Sequence, residues 1–262
     1  MKKRTFLNIA AACTLAVSAS SCSILGNIQW DQNQLNSALG KMAVAASISD
    51  AEVVELCKQS TAQLDKENQI ETGAYNTRLQ KLVKSVNVKG LDLNFKVYKT
   101  KEVNAFASAD GSVRVYTGLM DVMDDDELIA ILGHEIGHVA LGHVKAGMKT
   151  AYMASAARDV VGAAGAVGAV SQALLGDLAE TLANAQFSQK QEYAADEFGY
   201  EFAIANGHTP YSMYNALNKL VELSAGGQQN SYIAKMFSSH PDAVKRATKV
   251  KALADQYTAS AQ

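Results

Sequence analysis

The spacing of apolar residues changes along the chain, and each spacing predicts a different kind of element. Residues 51–67 (AEVVELCKQSTAQLDKE) repeat apolar positions at helical intervals behind Ser49 or Asp50 as a cap, and residues 75–86 predict a second helix. Residues 91–100 (LDLNFKVYKT) alternate strictly between apolar and polar positions, which is typical of a strand. The side chains on its apolar side are Leu91, Leu93, Phe95 and Val97.

Residues 103–118 (VNAFASADGSVRVYTG) consist of two extended runs that meet at Asp110 and Gly111. An Asp-Gly pair accepts the positive φ angles of a tight hairpin turn. Together with the preceding strand, this hairpin predicts a small antiparallel sheet.

A helix is expected directly after the sheet, in residues 124–144 (DDDELIAILGHEIGHVALGHV). Asp124 is a suitable N-cap, and Glu127 follows it at the spacing of a capping box. Acidic residues in a first turn also favour the positive end of a helix.

The rest of the chain predicts more helix. Residues 146–185 are rich in Gly and Ala and could form a flap that closes over a site or a closely packed helix pair. The apolar run at 160–175 is shorter than the roughly twenty residues that a membrane span needs. Residues 208–227 and 242–257 predict two closing helices. The expected fold is therefore α+β, predominantly helical, with one domain over residues 49–262.

The N-terminus has the pattern of an export signal. Residues 1–21 begin with three basic residues, continue with an apolar stretch and end in small residues directly before Cys22. This junction resembles the bacterial lipobox, which predicts an acylated Cys22, typically carrying palmitate, and a tether over residues 22–48. An Asp directly after the acylated cysteine would change the membrane to which such a lipoprotein is sorted. Because residue 23 is Ser, the expected location is the outer membrane, with the chain facing the periplasm. The alternative is a secreted protein whose Cys22 is free or disulfide-bonded.

Charge and cysteine content narrow the class of protein further. Loss of the three basic residues of the signal changes the formal net charge from −2 to −5, which argues against a nucleic acid partner. Cys57 would then be the one cysteine left in the folded body, so no internal disulfide is expected. Because Cys57 lies in a helical pattern, a buried core thiol is expected rather than a reactive or intermolecular one.

His134, Glu135 and His138 form the pattern H-E-x-x-H. Residues 134 and 138 lie roughly 40° apart around a helix, so both imidazoles can bind one atom. Zinc accepts such nitrogen ligands, and Glu135 is then placed to act as a general base on the attacking water. The alternative is two hydrogen-bonded core histidines with a surface glutamate. The apolar surroundings favour the metal, because uncompensated polar groups there would cost several kcal/mol.

A third ligand must come from elsewhere in the chain. The longer pattern H-E-x-x-H-x-x-G-x-x-H is absent, since Leu141 and Val144 stand at its Gly and His positions. His143 lies one residue before the third-histidine position and is expected to be a surface or capping histidine. Glu192 and Asp196 share a helix face, so one could bind metal while the other orients a ligand imidazole. A solvated acidic pair is the alternative.

The motifs HEIGHV, EYAAD and SHPDAVKR, together with VNAFASADGSVRVYTGLMD, resemble the gluzincin metallopeptidase family of HtpX and the CAAX prenyl endopeptidases over roughly residues 50–250. The resemblance implies a zincin-like metallopeptidase domain with one zinc ion per chain. It implies His134, His138 and Glu192 as zinc ligands and Glu135 as the base. Asp196 would be the carboxylate that hydrogen-bonds to a ligand imidazole and orients it.

Two further elements follow from the resemblance. The late H-P-x-x-x-x-R element corresponds to His240 and Arg246, and His240 would either stabilise the oxyanion or occupy the open zinc position at rest. A helix cap is the alternative for His240. The strand residues Asn104, Ala105 and Phe106 would form an edge to which an extended substrate adds, with a plain hairpin strand as the alternative.

These features predict a zinc-dependent endopeptidase of the bacterial periplasm, held at the membrane by a lipid anchor. Its substrates would be unfolded or misfolded envelope proteins, and envelope chaperones or proteases are candidate partners. The alternative is a zinc-stabilised chaperone or assembly factor for outer-membrane proteins that cuts little. A lipid-processing or prenyl-protein-processing enzyme is disfavoured because convincing spans are missing.

Overall fold

The computed structural model describes residues 48–162, 172–225, 232, 236 and 238–260. The expected signal, Cys22 with its expected acylation and nearly all of the expected tether lie outside these ranges, as does most of the apolar run at 160–175. Among the described helices, none combines the length and the apolar character that a membrane crossing requires.

The described residues form a mostly helical α+β fold, as expected. The helices are α1 (Asp50–Glu67), α2 (Ala74–Leu82), α3 (Thr117–Val122), α4 (Asp125–Ala140), α5 (His143–Gly162), α6 (Gln172–Ala183), α7 (Gln189–Ala205), α8 (Ser212–Ala225) and α9 (Ala243–Ser260). The strands are β1 (Ile70–Glu71), β2 (Asn94–Tyr98), β3 (Ala105–Ala107) and β4 (Ser112–Tyr116).

The sheet is mixed, whereas the sequence predicted an antiparallel one. Its order is β1-β2-β4-β3. The predicted hairpin is present, since β3 and β4 are antiparallel, but β2 runs parallel to β4. Alternation of apolar residues shows which side of a strand is buried but contains no information about the direction of its neighbour. β2 also begins only at Asn94, so Leu91 and Leu93 precede it.

Capping boxes fix the starts of two helices where the sequence predicted them. Ser49 caps α1 and Asp124 caps α4, each through the third residue that follows. α2 ends at Leu82, four residues earlier than expected, because the chain turns there and the Val86 amide donates to the Val83 carbonyl.

Glycine allows α4 and α7 to pack unusually closely. A Cβ atom added to Gly199 of α7 would lie 2.8 Å from the Ala130 carbonyl oxygen and 2.9 Å from the His134 amide nitrogen, both on α4. A larger residue would therefore push the helices apart. This contact brings the H-E-x-x-H helix against the helix that carries Glu192.

Cys57 is a core thiol, as the sequence predicted. It is fully buried in α1 and not disulfide-bonded. Burial raises the pKa of the thiol to about 11. Because the thiolate is the nucleophile, such a cysteine is chemically inert near neutral pH.

Candidate metal centre

α4 places His134, Glu135 and His138 in the interior, and all three are at most 4% exposed. The Nε2 atoms of the two histidines lie 3.1 Å apart. The spacing of four residues therefore directs both imidazoles at one point, as the helical pattern predicted.

Glu192 reaches the same point from α7, which begins behind a capping box at Ser188. Its Oε1 atom lies 3.4 Å from His138 Nε2, and its Oε2 atom lies 3.7 Å from His134 Nε2. The carboxylate is fully buried. The structure thus brings together the three residues that the sequence singled out as metal ligands.

His240 completes the cluster from the loop before α9. Its Nδ1 atom lies 3.3 Å from His134 Nε2 and 3.1 Å from Glu192 Oε1. Ligand atoms at about 2.0–2.1 Å from a tetrahedral zinc ion would be about 3.3–3.4 Å apart. The observed separations bracket that value, and the ligand atoms of the four residues all lie within 4.8 Å of one another. The group can therefore hold one metal ion.

Asp196 and Arg246 support the cluster from behind. His134 Nδ1 donates to Asp196 Oδ1 at 2.9 Å, which leaves the Nε2 lone pair directed at the cluster. Arg246 donates to Asp196 through Nε at 2.7 Å and Nη2 at 2.6 Å, and its Nη1 lies 2.6 Å from Glu192 Oε2. One buried cation thus compensates two buried carboxylates, which could not remain charged without a partner.

The protonation states favour metal binding. Burial alone would raise the pKa of Glu192, but contacts with His138 and His240 lower it well below its ordinary value. Burial lowers the pKa of His138 to about 3. A metal ligand must be a neutral imidazole or an ionised carboxylate, and these shifts produce those forms at neutral pH.

Glu135 differs from the other acidic groups of the site. Within the described part of the chain its Oε1 atom has no hydrogen-bond partner, and His240 Nε2 is 3.6 Å away. Burial raises the pKa of Glu135, and the charges of His240 and His134 offset part of that rise. A buried, unpaired carboxylate with a raised pKa is suited to accepting and returning a proton.

Two neighbours of His138 were not recognised in the sequence. His143 is partly exposed at the first position of α5, and its Nδ1 atom lies 3.0 Å from His138 Nδ1, a contact that the sequence did not indicate. Gly142, at φ 76°, ends α4 and turns the chain back, which helical geometry alone could not show. Phe187 stacks on His138 with ring centroids 3.7 Å apart, and its position in a loop gave no signal.

The predicted substrate strand is the edge of the sheet but is not open to solvent. Asn104, Ala105 and Phe106 are all at most 4% exposed. The residues before α7, which include Leu182 and Phe187, line a small cavity together with this strand and Glu135. The edge is therefore covered in this structure, and the described part of the segment 146–185 contributes to that cover.

An H-E-x-x-H helix, a glutamate from a second helix and a small sheet ahead of both define a zincin-like metallopeptidase of the gluzincin type. The family model of peptidase family M48 matches residues 69–254, which is more than half of the chain. The chain therefore belongs to peptidase family M48, which confirms the resemblance found in the sequence.

Individual relatives agree with that assignment. Metalloprotease LoiP of Escherichia coli (strain K12) is 40% identical over 243 residues, which cover 90% of this chain and 94% of the relative. Metalloprotease YcaL of the same strain is 40% identical over 212 residues, which cover 79% of this chain and 82% of the relative. A beta-barrel assembly-enhancing protease of Yersinia pestis is 31% identical over 195 residues, which cover 67% of this chain and 39% of the relative. The chain is a metalloendopeptidase.

Proposed function

We propose that the chain is a zinc-dependent endopeptidase of the bacterial periplasm, anchored as a lipoprotein, which hydrolyses unfolded or misfolded envelope proteins. The convergence of His134, His138 and Glu192 on one point beside the unpaired Glu135 carries the proposal. Two imidazoles and one carboxylate at tetrahedral spacing suit zinc better than calcium or magnesium, which prefer oxygen ligands.

The residues divide the chemistry among them. His134, His138 and Glu192 would hold the zinc ion, which when bound would polarise the scissile carbonyl and lower the pKa of water. Glu135 accepts the proton of the attacking water and delivers it to the leaving amine. Asp196 fixes the His134 tautomer through the 2.9 Å hydrogen bond, and Arg246 keeps Asp196 and Glu192 charged.

His240 acts as the resting ligand in this proposal. Its Nδ1 atom lies at the fourth corner of the donor set, where a catalytic site would instead need room for water and substrate. A closed set of four protein ligands is typical of structural zinc sites. His240 must therefore withdraw before hydrolysis, and the covered edge of β3 must become accessible.

Location and substrate class have separate support. The basic start, the apolar stretch and the small residues before Cys22 favour export and acylation. One relative is named a beta-barrel assembly-enhancing protease, which supports a role near β-barrel assembly. An edge strand that binds extended backbone would favour unfolded chains, because folded ones have no free strand to add.

A direct test offers unfolded casein and a folded protein of similar size to the zinc-loaded enzyme. We expect fragments from casein and none from the folded protein, measured by electrophoresis and mass spectrometry. Cleavage of the folded protein at an equal rate would contradict the substrate class. Binding of casein without any fragments would instead support the alternative, a chaperone or assembly factor.

Anchoring can be tested at the cysteine itself. The substitution Cys22→Ser should abolish labelling by radioactive palmitate and move the protein from the membrane fraction to the soluble periplasm, because the thiol that would carry the lipid is removed. Ser23→Asp is the matched control, since it should keep the label and change only the membrane to which the protein sorts. A labelled Cys22→Ser protein would show that the anchor lies elsewhere.

A further inference from the structure

A groove beside the catalytic cluster has no role in the chemistry described above. It lies between the N-terminal half of α5 and the C-terminal end of α6, and it has a volume of about 460 Å³. That volume falls in the range of about 300–1,000 Å³ that is typical of ligand pockets. The apolar side chains that line it include Val144, Met148, Ala151, Leu182, Ala185 and Phe187.

The groove adjoins the small cavity that contains Glu135 and the edge of β3. Four of its apolar residues, among them Leu182 and Phe187, also line that cavity. The two spaces therefore share part of their lining. If these side chains shift, one continuous cleft runs from Glu135 to the groove.

The lining indicates what the groove binds. Among the described residues that form it, none is Asp, Glu, Lys or Arg; the polar ones are His143 and four neutral side chains, of which Thr150 and Gln186 are exposed. A charged group would lose its hydration there without gaining a partner, whereas an apolar side chain gains from burial.

We propose that this groove is a subsite of the peptidase that binds an apolar side chain of the substrate polypeptide, a few residues away from the scissile bond. The inference rests on the proposed function, because it takes the polypeptide substrate as the occupant. The lining that the groove shares with the cavity of Glu135 is the reason for that choice. Such a subsite would select the apolar segments that unfolded proteins expose and folded proteins bury.

Two glycines allow a matched test. Gly147 lines the groove on α5, and Gly176 lies on α6 away from it. At both positions an added Cβ atom would meet no heavy atom of the described chain within 4 Å, and neither residue has a positive φ. Leucine is a better helix former than glycine, so Gly147→Leu should fill the groove without unfolding the helix, and Gly176→Leu is the control.

The assay uses peptide pairs built around a cleavage site that wild type makes in casein. Each pair has Leu or Ser at one position, and the positions are scanned in both directions from the scissile bond. At one remote position we expect wild type to favour Leu about ten-fold in kcat/KM, as expected for one apolar side chain in a pocket. Gly147→Leu should reduce that ratio toward one, and Gly176→Leu should retain it.

A binding assay separates failure of the subsite from failure of the proposed function. Fluorescent casein peptides that carry Leu or Ser, chosen without reference to any cleavage site, are titrated into Glu135→Gln protein, with and without Gly147→Leu. The Kd of the Leu peptide should rise about ten-fold in the double variant, and that of the Ser peptide should not change. That result would support the subsite even if wild type cleaves nothing, in which case only the proposed function fails.

Three outcomes would overturn the subsite. In the first, Gly147→Leu leaves the Leu preference intact. In the second, it weakens Leu and Ser peptides equally in both assays. In the third, the peptide binds only after residues 24–47 are deleted, which would assign the groove to the chain's own tether.

Discussion

The substitution Glu135→Gln is expected to lower kcat for casein hydrolysis by about 10³-fold, since a positioned general base contributes about 10²–10⁴-fold. Glutamine has nearly the same shape but cannot accept the proton of the attacking water. Glu135 Oε1 has no hydrogen-bond partner among the described residues, so little structural support is lost with the charge. The protein should therefore fold and bind zinc as wild type does.

The measurement combines initial rates with zinc content by mass spectrometry. Glu197→Gln is the matched control, because Glu197 is an exposed acid on α7. It should change neither quantity. A Glu135→Gln protein that cleaves casein at the wild-type rate would show that another group accepts the proton. If wild type and the variant both bind casein and leave it intact, the chaperone alternative gains support.

The second large effect is expected for His138→Ala, which should reduce bound zinc from about one ion per chain to near zero and abolish hydrolysis. His138 Nε2 lies within 3.4 Å of both His134 Nε2 and Glu192 Oε1, so its loss removes one corner of the donor set. The buried carboxylates of Glu192 and Asp196 would remain, and Arg246 would then be the main positive charge that compensates them.

Thermal stability provides a readout of metal binding that does not depend on activity. When the free zinc concentration is 100 to 1,000 times Kd, zinc binding stabilises a fold by about 3–4 kcal/mol. A chelator should therefore lower the Tm of wild type by on the order of 10 °C and leave the Tm of His138→Ala unchanged. His208→Ala is the control, because His208 pairs with Asp126 outside the cluster, and it should respond to chelator as wild type does. An equal response of His138→Ala would contradict the assignment.

Much of the site could be predicted from short stretches of sequence. The spacing of His134 and His138 places both imidazoles on one helix face regardless of the rest of the fold. The capping boxes at Ser49 and Asp124 likewise depend on residues three positions apart. Glu192 and Asp196 were recognisable because a third ligand was required and an i,i+4 acidic pair supplied one.

Contacts between distant segments could not be predicted in the same way. The family resemblance left His240 between two roles, and it is the packing of the loop before α9, 106 residues from His134 along the chain, that places its Nδ1 atom at the fourth corner. The bridge from Arg246 to both carboxylates, the stacking of Phe187 on His138 and the cover over β3 also depend on which segments meet.

The sequence by itself determined the periodic elements, their caps and the chemistry of the H-E-x-x-H helix, because those depend on side chains within one or two helical turns of each other. The tertiary structure alone decided the parallel pairing of β2 with β4, the contact of His143 with His138 and the closed state of the site. The physical reason is that each of these contacts joins segments that are distant in sequence. Whether two such segments pack together depends on the free energy of the whole fold, which no local pattern contains.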